Sequence, residues 1–423
     1  MKILWFSVTP SQFTAFNNGH NGGGWIASLE QLVSKESNVE LGIAFEYPYH
    51  EFKKVKKNVT YYPIRTKISN SRKISKFFNP LKFEERYIIP KCLDIISDFK
   101  PDIIHIFGSE NQFGLLTLCT NIPIIIHMQG SLPPYYNARY PISINFKDVI
   151  LSKHYSIPQK ISEYRNLKIF RKRAQREKEI LRHTKYFFGR THWDRSVTHI
   201  FNPNSKYFYC SEVLRDTFYD NKEWVYRNQK PIVIVSTIST PLYKGLDVVL
   251  KTAKILKEEC HLNFIWKVIG IQQAPFIEDH FKIRAIDVSV EMLGCLSAVE
   301  VKNELLNAHF YVHPSYIDNS PNSVCEAQML GVPVICCNVG GVSSLIDDNI
   351  TGFLVPANDP FKMADIINTN ATDKDKLQKI SKQEINVAQK RHSREQIIRD
   401  LFFAYQSITK QPKPNNYIEH MKG

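Results

Sequence analysis

The sequence has no uninterrupted apolar stretch near the roughly 18 residues that a membrane-spanning helix needs, although 43% of its 423 residues are hydrophobic. We expect no signal peptide, because the chain begins directly with the strand-like residues 2–8. Both features predict a cytoplasmic protein. The length and apolar content suffice for more than one hydrophobic core, which favours two globular domains.

The sequence also lacks Cys-x-x-Cys pairs, although it contains eight cysteines. These cysteines are scattered, mostly inside apolar runs, and none lies near a His at the spacing of metal ligands. We interpret them as buried thiols in a reducing compartment. The cysteines therefore predict neither disulfides nor a metal site.

Acidic residues are outnumbered: 55 Lys and Arg against 41 Asp and Glu give a formal net charge of +14. Residues 53–86 contain eleven Lys or Arg and two Glu, and residues 160–185 contain ten and three. Both segments include aromatic residues, a pattern that suits an anionic membrane surface or a phosphate-bearing acceptor. An ordinary solvated basic face explains it nearly as well. One expectation is thus peripheral attachment to the inner face of the membrane.

Short β-rich runs alternate with helical patterns, which predicts an α/β protein with parallel sheets. The predicted strands are residues 2–8, 40–46, 59–64, 102–107, 123–128, 186–189 and 206–210, and then 231–236, 263–269, 287–293, 309–313, 333–336 and 352–355. A polar, turn-rich connection separates the two groups. We predict a first domain of residues 1–220, a second of residues 221–410 and a loose tail, 411–423.

The most informative passage is a strand, a polar loop, a helix that begins near Asn322 or Ser323, and another strand. A loop that leaves a parallel strand and enters a helix N-terminus is where open α/β sheets bind anions and nucleotides. Asp318 lies in the loop and Glu326 lies inside the helix, so two carboxylates flank a pocket and can accept hydrogen bonds from sugar hydroxyls. Glu326 has apolar neighbours and needs a fixed partner, which a nucleotide ribose supplies.

Two further features accompany this passage. Lys244 stands at a helix entrance after the first strand of the second domain, where it is placed as a point charge for a diphosphate. The paired glycines Gly340 and Gly341 follow the next strand and allow close approach of a ligand to the backbone. Simpler alternatives stay open, because Lys244 alone fits a surface lysine and Asp318 fits an acid favoured by the helix dipole.

These residues resemble the donor-binding motif of the family 4 retaining glycosyltransferases (glycosyl transferases group 1). The resemblance is carried by Lys244-Gly245, Pro314-Ser315, Asp318, Pro321, Glu326-Ala327, Gly331-Val332-Pro333-Val334, Gly340-Gly341 and Gly352-Phe353-Leu354-Val355. It is firm over about residues 231–410 and weaker in the first half. It implies the GT-B fold, in which two Rossmann-like domains face each other across a cleft. The last helix is then expected to pack back on the first domain.

By this resemblance, Asp318 faces the transferred sugar, Glu326 the ribose and Lys244 the diphosphate. The other donor-binding residues in the second half are Ser239, Asn319, Ser320, Pro321, Asn322 and Ser323. The family normally has Glu where this chain has Asp318, which leaves the identity of the sugar open. The family also carries an Arg shortly before the Lys, and this chain has none near Ser239. Arg190, at the end of a first-domain strand, is a candidate replacement.

Two sites in the first half complete the prediction. Residues 21–25 form a Gly-rich turn after the first strand, and the resemblance implies that Gly23 and Gly24 pack against donor and acceptor. His127 ends a predicted strand and is expected to point into the cleft. The resemblance gives such a His contact with the donor sugar, whereas the residues alone fit a structural His equally well. His105 has the same position with less support.

The resemblance implies transfer of a sugar, with retention, from a nucleotide-diphosphate donor to a glycan or lipid-linked acceptor in synthesis of lipopolysaccharide or capsule. The nucleotide sugar is a co-substrate, so no cofactor is expected. No metal is expected either, because the only Asp-x-Asp triplet, residues 373–375, lies in a polar helix start. Two alternatives stay open: a sugar-nucleotide epimerase of the same fold, and a basic nucleic-acid-binding protein, although no recognisable nucleic-acid module is present.

Overall fold

The computed structural model describes residues 1–13, 24–66, 79–220 and 222–410. Within them the chain forms two β-sheets with helices packed against them, and the predicted α/β class with two Rossmann-like units is confirmed. Several predictions concern residues outside the described ranges: Gly23, the domain boundary at residue 221, the tail 411–423, and residues 67–78 of the first basic segment.

The first sheet has the order β3-β4-β2-β1-β5-β6-β7-β8, and only its β3–β4 pair is antiparallel. Its strands are β1 (Lys2–Ser7), β2 (Glu40–Tyr47), β3 (Lys54–Lys56), β4 (Val59–Arg65), β5 (Ile103–Phe107), β6 (Ile124–His127), β7 (Tyr186–Gly189) and β8 (Lys206–Tyr209). The helices among them are α1 (Gly24–Val33), α2 (Pro80–Phe83), α3 (Ile89–Phe99), α4 (Leu132–Asn137), α5 (Phe146–Leu151), α6 (Ile157–His183) and α7 (His192–Phe201). A π-helical turn, Glu84–Ile88, joins α2 to α3.

The second sheet is entirely parallel and has the order β11-β10-β9-β12-β13-β14. Its strands are β9 (Ile232–Thr237), β10 (Phe264–Ile269), β11 (Val290–Gly294), β12 (Phe310–His313), β13 (Val334–Cys337) and β14 (Phe353–Val355). The helices are α8 (Leu246–Glu258), α9 (Pro275–Phe281), α10 (Ala298–Leu306), α11 (Asn322–Leu330), α12 (Pro360–Asn370), α13 (Lys374–Arg391) and α14 (Arg394–Thr409). Short 3-10 turns lie at Gln112–Leu118, Asp216–Phe218, Ile286–Val288 and Val342–Ser344.

The predicted strand at residues 287–293 is wrong in its first half. Residues Ile286–Val288 form a 3-10 turn, and Ser289 adopts a left-handed conformation with φ of 59°. A left-handed residue interrupts an extended strand, so the pairing starts only at Val290. The short antiparallel strand Lys54–Lys56 was not predicted, because it has few apolar residues and its side chains are exposed.

Three helices of the second half begin at a capping side chain. Ser297 and Glu300 form a reciprocal capping box at α10, Asp359 caps α12 before Pro360, and Ser393 caps α14. Each cap satisfies amides at the helix N-terminus that have no partner within the helix. None of the helices in the described ranges is both long and apolar enough to cross a bilayer.

Each face of the first sheet is covered by its own core, because side chains alternate along a strand. Trp5 faces the same core as the apolar residues of α14, whereas Leu4 and Phe6 face the core under α3. The last helix of the chain therefore packs on the first sheet. Its Tyr405 hydroxyl lies 2.7 Å from Nδ1 of His105 and accepts a hydrogen bond from the Trp5 indole at 3.3 Å.

In the described part of the chain, two adjacent connections join the units, and Ile144 and Val149 of the first half also pack into the core of the second unit. The first crossing is the connection between β8 and β9, and the second is at His392, between α13 and α14. Nδ1 of His392 lies 2.9 Å from the backbone oxygen of Glu212, and the Tyr219 hydroxyl donates to the His392 backbone oxygen at 2.9 Å. Two segments far apart in sequence thus form one hydrogen-bonded junction.

Each sheet reverses its winding direction once. In the first sheet the reversal lies between β1 and β5, and in the second it lies between β9 and β12. The loops that leave neighbouring strands at such a point turn to opposite faces of the sheet and leave a crevice at the strands' carboxyl ends. The loops after β9 and β12 carry Lys244 and Asp318, so the fold brings these two predicted residues together.

Candidate active site

A cavity of about 420 Å³ lies between the two units at these carboxyl ends. The predicted site residues that line it are Gly24, Arg190, Ser239, Lys244, Asp318, Ser320, Pro321, Asn322, Ser323 and Glu326. The sequence analysis missed other lining residues, among them Trp25, Gln129, Arg215 and Cys295. The cavity therefore combines loops from both halves of the chain.

Helix α11 points its N-terminus at this cavity. Its N-cap residue is Pro321, which provides no side-chain cap, so Asn322 and Ser323 present the first turn of the helix to the cavity. The helix ends as predicted at Gly331, which is left-handed with φ of 76°. An uncapped helix N-terminus offers amide donors and a partial positive charge to an anionic ligand.

Asp318 is buried in a network of three polar side chains. Lys244 Nζ lies 2.5 Å from its Oδ2, His313 Nε2 lies 3.0 Å from the same oxygen, and the Tyr135 hydroxyl donates to Oδ1 at 3.2 Å. Burial raises the pKa of Asp318, but Lys244 and His313 outweigh it and hold that pKa well below its usual value. Burial lowers the pKa of His313, and because a carboxylate oxygen can only accept, Nε2–H of the ring is the donor to Asp318.

Glu326 is equally buried and forms a bidentate ion pair with Arg215. Nε and one terminal nitrogen of Arg215 donate to the two carboxylate oxygens, both at 2.7 Å. Burial raises the pKa of Glu326, and the Arg215 guanidinium opposes that shift. The partner that the burial of Glu326 demands is thus supplied by the protein itself. Arg215 belongs to no sequence motif. The one signal in the sequence that pointed to it was that a buried Glu326 needs a partner.

Arg190 lines the cavity and is also held by the protein. It lies 3.0 Å from Glu212, donates to the Met128 backbone oxygen at 3.2 Å, and its guanidinium stands 5.3 Å from the Trp25 ring centroid. Burial raises the pKa of Glu212, but Arg190 more than offsets this and lowers it to about 2. Glu212 in turn accepts a 2.9 Å hydrogen bond from Ser320. Arg190 therefore supports, through Glu212, the loop that carries Asp318 and Ser320.

Glu212 also belongs to a buried cluster with Cys325 and His392, whose possible ligand atoms lie within 4.8 Å of one another. Arg190 already neutralises the carboxylate, and burial raises the pKa of the Cys325 thiol. A thiol must lose its proton to hold a metal ion. The cluster is therefore described best as a hydrogen-bonded support.

Two predicted residues lie elsewhere than expected. His127 is fully buried: its ring packs against Trp25 at 4.9 Å and His105 at 5.4 Å, and Trp25 lines the cavity in its place. His127 still pairs with both neighbouring strands, so its side chain stays within the sheet's packing layer. Asn319 is also fully buried and accepts a hydrogen bond from Thr191 at 2.6 Å, which ties the two units together.

The paired glycines, Gly340 and Gly341, pack against the backbone of the loop that carries Asp318. A side chain at Gly340, where φ is 51°, would place its Cβ 2.0 Å from the Asp318 backbone oxygen. Gly341 N–H donates to that oxygen at 2.9 Å. The close approach that these glycines allow is therefore to the Asp318 loop, and not to a ligand as we expected.

Residues 219–387 match Glycosyl transferases group 1. This part of the chain is a glycosyl transferases group 1 domain. The domain includes Lys244, Asp318 and Glu326, whereas Arg190 and Arg215 lie before it.

Curated relatives of this domain include the putative colanic acid biosynthesis glycosyltransferase WcaL of Escherichia coli, 27% identical over 144 residues, which are 32% of this chain and 34% of that protein. The putative teichuronic acid biosynthesis glycosyltransferase TuaC of Bacillus subtilis is 54% identical over 46 residues, which are 11% of this chain and 12% of that protein. The chain thus spans about a third or less of the curated relatives it matches.

Solved structures match over nearly the whole chain. Sucrose-phosphate synthase from Thermosynechococcus elongatus has a TM-score of 0.70 at 14% identity, covering 96% of this chain and 98% of that one. HepE of Anabaena in complex with UDP-glucose has a TM-score of 0.63 at 12% identity, covering 96% and 100%. At these identities the likeness shows the fold, which is the two-domain GT-B fold of the group 1 domain's relatives.

Proposed function

We propose that the protein is a retaining glycosyltransferase that takes a sugar from a nucleotide-diphosphate donor and passes it to a glycan or lipid-linked acceptor in cell-surface polysaccharide synthesis. The observation that carries this proposal is the cavity between the units, which places two cations, Lys244 and Arg215, beside two buried carboxylates, Asp318 and Glu326. A nucleotide sugar matches this set, since it combines an anionic diphosphate with hydroxyls on two rings.

Each ion pair of the cavity has a place in donor binding. Lys244 and the amides at the N-terminus of α11 stabilise the diphosphate, and the Asp318 carboxylate accepts hydrogen bonds from hydroxyls of the transferred sugar. Arg215 takes the role of the basic residue that is missing near Ser239, while Glu326 accepts from the ribose. Before the donor arrives, each charge neutralises its neighbour, which lowers the cost of keeping them buried.

The proposed reaction proceeds on one face of the sugar. The bond between the anomeric carbon and the diphosphate oxygen breaks, the acceptor oxygen bonds to that carbon from the same side, and the proton of the acceptor hydroxyl passes to the departing diphosphate. Preorganised donors around the departing diphosphate stabilise the charge that develops on it. No side chain serves as a covalent nucleophile, and no metal ion is required because Lys244 and Arg215 carry the positive charge.

Two experiments test this proposal. Calorimetry shows which of UDP, GDP and ADP binds, and transfer assays then use a nucleotide sugar with the same base. The Anabaena neighbour in complex with UDP-glucose makes UDP the first choice. We expect one diphosphate to bind and its sugar to be transferred or slowly hydrolysed with the donor's anomeric configuration retained. Conversion to an epimer without any acceptor would favour the epimerase. Binding of nucleic acid but of no nucleoside diphosphate would overturn the proposal.

A further inference from the structure

Among the described residues, four hydrogen-bond donors contact the Asp318 carboxylate. Lys244 Nζ and His313 Nε2 lie 2.5 Å and 3.0 Å from Oδ2. The Tyr135 hydroxyl and the Asn319 backbone N–H lie 3.2 Å and 3.1 Å from Oδ1. A carboxylate offers about four acceptor positions, shared between its two oxygens. Asp318 can therefore accept a hydroxyl of the transferred sugar only after one of these donors has left it.

Three of the four donors belong to the second unit and are held in place there. The Asn319 N–H is part of the backbone next to Asp318, and His313 ends β12 with its ring buried. The ammonium group of Lys244 makes the shortest of the four contacts. Because it carries three N–H groups, it can contact a diphosphate and keep its bond to Asp318. These three donors are therefore expected to stay when the donor binds.

Tyr135 is the fourth donor, and it comes from the first unit. It lies in α4, and its hydroxyl makes the longest of the four contacts. Burial and the nearby Asp318 charge raise the pKa of Tyr135 well above its usual value, so the hydroxyl keeps its proton and acts as the donor. A neutral donor binds a carboxylate less strongly than an ammonium group does. Of the four donors, Tyr135 is thus the one that a sugar hydroxyl replaces most easily.

Tyr135 also has space into which its ring can turn. It lines a second cavity, of about 450 Å³, which shares Gln129 with the donor cavity. Its ring meets that of Tyr243 edge to face, with centroids 5.7 Å apart. A side chain in the wall of a cavity can adopt another staggered rotamer without displacing closely packed atoms. The Tyr135 hydroxyl can therefore leave Asp318 while the backbone of α4 stays in place.

We propose that Tyr135 competes with a hydroxyl of the transferred sugar for Oδ1 of Asp318. Before the donor binds, Tyr135 holds this oxygen. When the donor binds, the sugar takes the oxygen and the Tyr135 ring turns into the second cavity. The inference rests on the proposed function, since it needs a donor sugar at Asp318. It adds that the Tyr135 hydroxyl opposes donor binding, so that its removal tightens the binding of a nucleotide sugar.

Tyr135→Phe removes the hydroxyl and keeps the ring. Calorimetry on the full chain measures the affinity for UDP and for UDP-glucose, UDP-galactose and UDP-N-acetylglucosamine, or for the GDP or ADP compounds if that base binds. We expect Tyr135→Phe to bind the preferred nucleotide sugar about threefold or more tightly than wild type, because the sugar no longer has to replace a hydrogen bond. Affinity for the nucleoside diphosphate should stay the same, since it has no transferred sugar.

The matched control is Tyr136→Phe, at the next residue of α4, where the ring stacks on Phe170. It should alter neither affinity. Weaker binding of the nucleotide sugar by Tyr135→Phe would mean that the sugar contacts the hydroxyl and does not replace it, and unchanged binding would mean that the two do not compete. Either result overturns the inference. If wild type binds no nucleoside diphosphate at all, the proposed function fails as well.

A second measurement follows the ring of Tyr135 without changing the residue. In protein labelled with 3-fluorotyrosine, the fluorine resonance of Tyr135 is identified by its absence from the spectrum of Tyr135→Phe. We expect this resonance to shift when the nucleotide sugar binds and to keep its position when the nucleoside diphosphate binds. The same position in both complexes would show that the ring does not move, which also overturns the inference.

Discussion

Asp318 and Glu326 are both buried carboxylates with a cation beside them, yet their surroundings differ. Asp318 sits among Lys244, His313 and Tyr135, whereas Glu326 is held by Arg215. Asp318 therefore belongs to a hydrogen-bonded network at the proposed sugar end of the cavity. Glu326 forms one bidentate ion pair at the proposed ribose end. The proposed roles predict that removing Glu326 weakens nucleotide binding, whereas removing Asp318 reduces turnover.

Glu326→Ala should weaken binding of the nucleoside diphosphate by roughly one to two powers of ten, since each charge-assisted hydrogen bond is worth about 1.5–3 kcal/mol. Asp318→Ala should leave that affinity nearly unchanged while turnover of the nucleotide sugar collapses. Calorimetry and transfer assays on the same preparations measure both, with the exposed Glu258→Ala as control. If Glu326→Ala binds like wild type, the donor site lies elsewhere.

Arg215 carries a prediction of its own because we propose that it replaces the basic residue that is missing near Ser239. Arg215→Gln should lower affinity for the nucleoside diphosphate by about one to two powers of ten, from the loss of a charged hydrogen-bond donor, but should barely alter affinity for the nucleoside alone. Arg227→Gln changes an exposed arginine and serves as control. A parallel loss for nucleoside and diphosphate would mean that Arg215 only positions Glu326.

Chelation tests whether turnover needs a divalent cation at the diphosphate. With Lys244 and Arg215 at the diphosphate, turnover should be unchanged in EDTA, and added magnesium or manganese should not raise it. Initial rates in chelated and metal-supplemented buffer measure this directly. If activity disappears in EDTA and returns with either ion, a divalent cation, and not the side chains alone, neutralises the diphosphate.

The sequence predicted most of the donor loop because spacing along one strand, loop and helix is local information. Ser320, Asn322 and Glu326 line the cavity for this reason. Arg215 and the enclosure of His127 depend on how distant segments pack. The side chain of a residue at a strand end can point into a cleft or pack against neighbouring rings. For His127, the rings of Trp25 and Phe188 pack against it and keep it out of the cleft.

Helix α6 is the element in which the second basic segment resides. It exposes Ile157 and Ile161, at 74% and 58% of their surface, on the face that continues through Lys168 and Lys172. The successive spacings of four, seven and four residues place these side chains along one stripe. A stripe of exposed apolar and basic residues is suited to the headgroup region of an anionic bilayer.

We accordingly expect the protein to sediment with anionic vesicles at low salt and to be released by high salt. Each basic residue near such a surface contributes about 1 kcal/mol, so a variant with Lys168, Arg171 and Lys172 changed to Gln should lose most of its binding. The same change at Lys374, Lys379 and Lys382, which are exposed on α13 in the other unit, is the control. Equal sedimentation with neutral and anionic vesicles would contradict the prediction.

At the scale of elements, alternation of apolar runs with helical patterns was enough to predict both parallel sheets. Buried parallel strands are continuous apolar runs, and the helices between them have marked caps. The failures were an edge strand with exposed side chains, Lys54–Lys56, and a left-handed turn at Ser289 within residues 286–291, where apolar and polar residues alternate. The edge strand is too short for a periodic pattern, and the alternation around Ser289 imitates that of a strand.

For the whole molecule, Tyr405 ties the last described helix to the core of the first sheet by hydrogen bonds. Burial lowers the pKa of His105 to about 3, so this ring stays neutral and relies on the Tyr405 hydroxyl. Tyr405→Phe should lower the free energy of unfolding by about 1–3 kcal/mol, the cost of a buried polar group without its partner. Urea titration measures this, and Tyr49→Phe, at an exposed site, should have no such effect.

The junction at Glu212 and His392 has a consequence for the site as well. The Glu212 carboxylate accepts a hydrogen bond from Ser320 and pairs with Arg190, both of which line the cavity, while its backbone oxygen lies 2.9 Å from Nδ1 of His392, where the chain returns to the first sheet. One buried residue therefore contacts both connections between the units and both sides of the cavity. A displacement of either connection would have to break these bonds or carry the cavity wall with it.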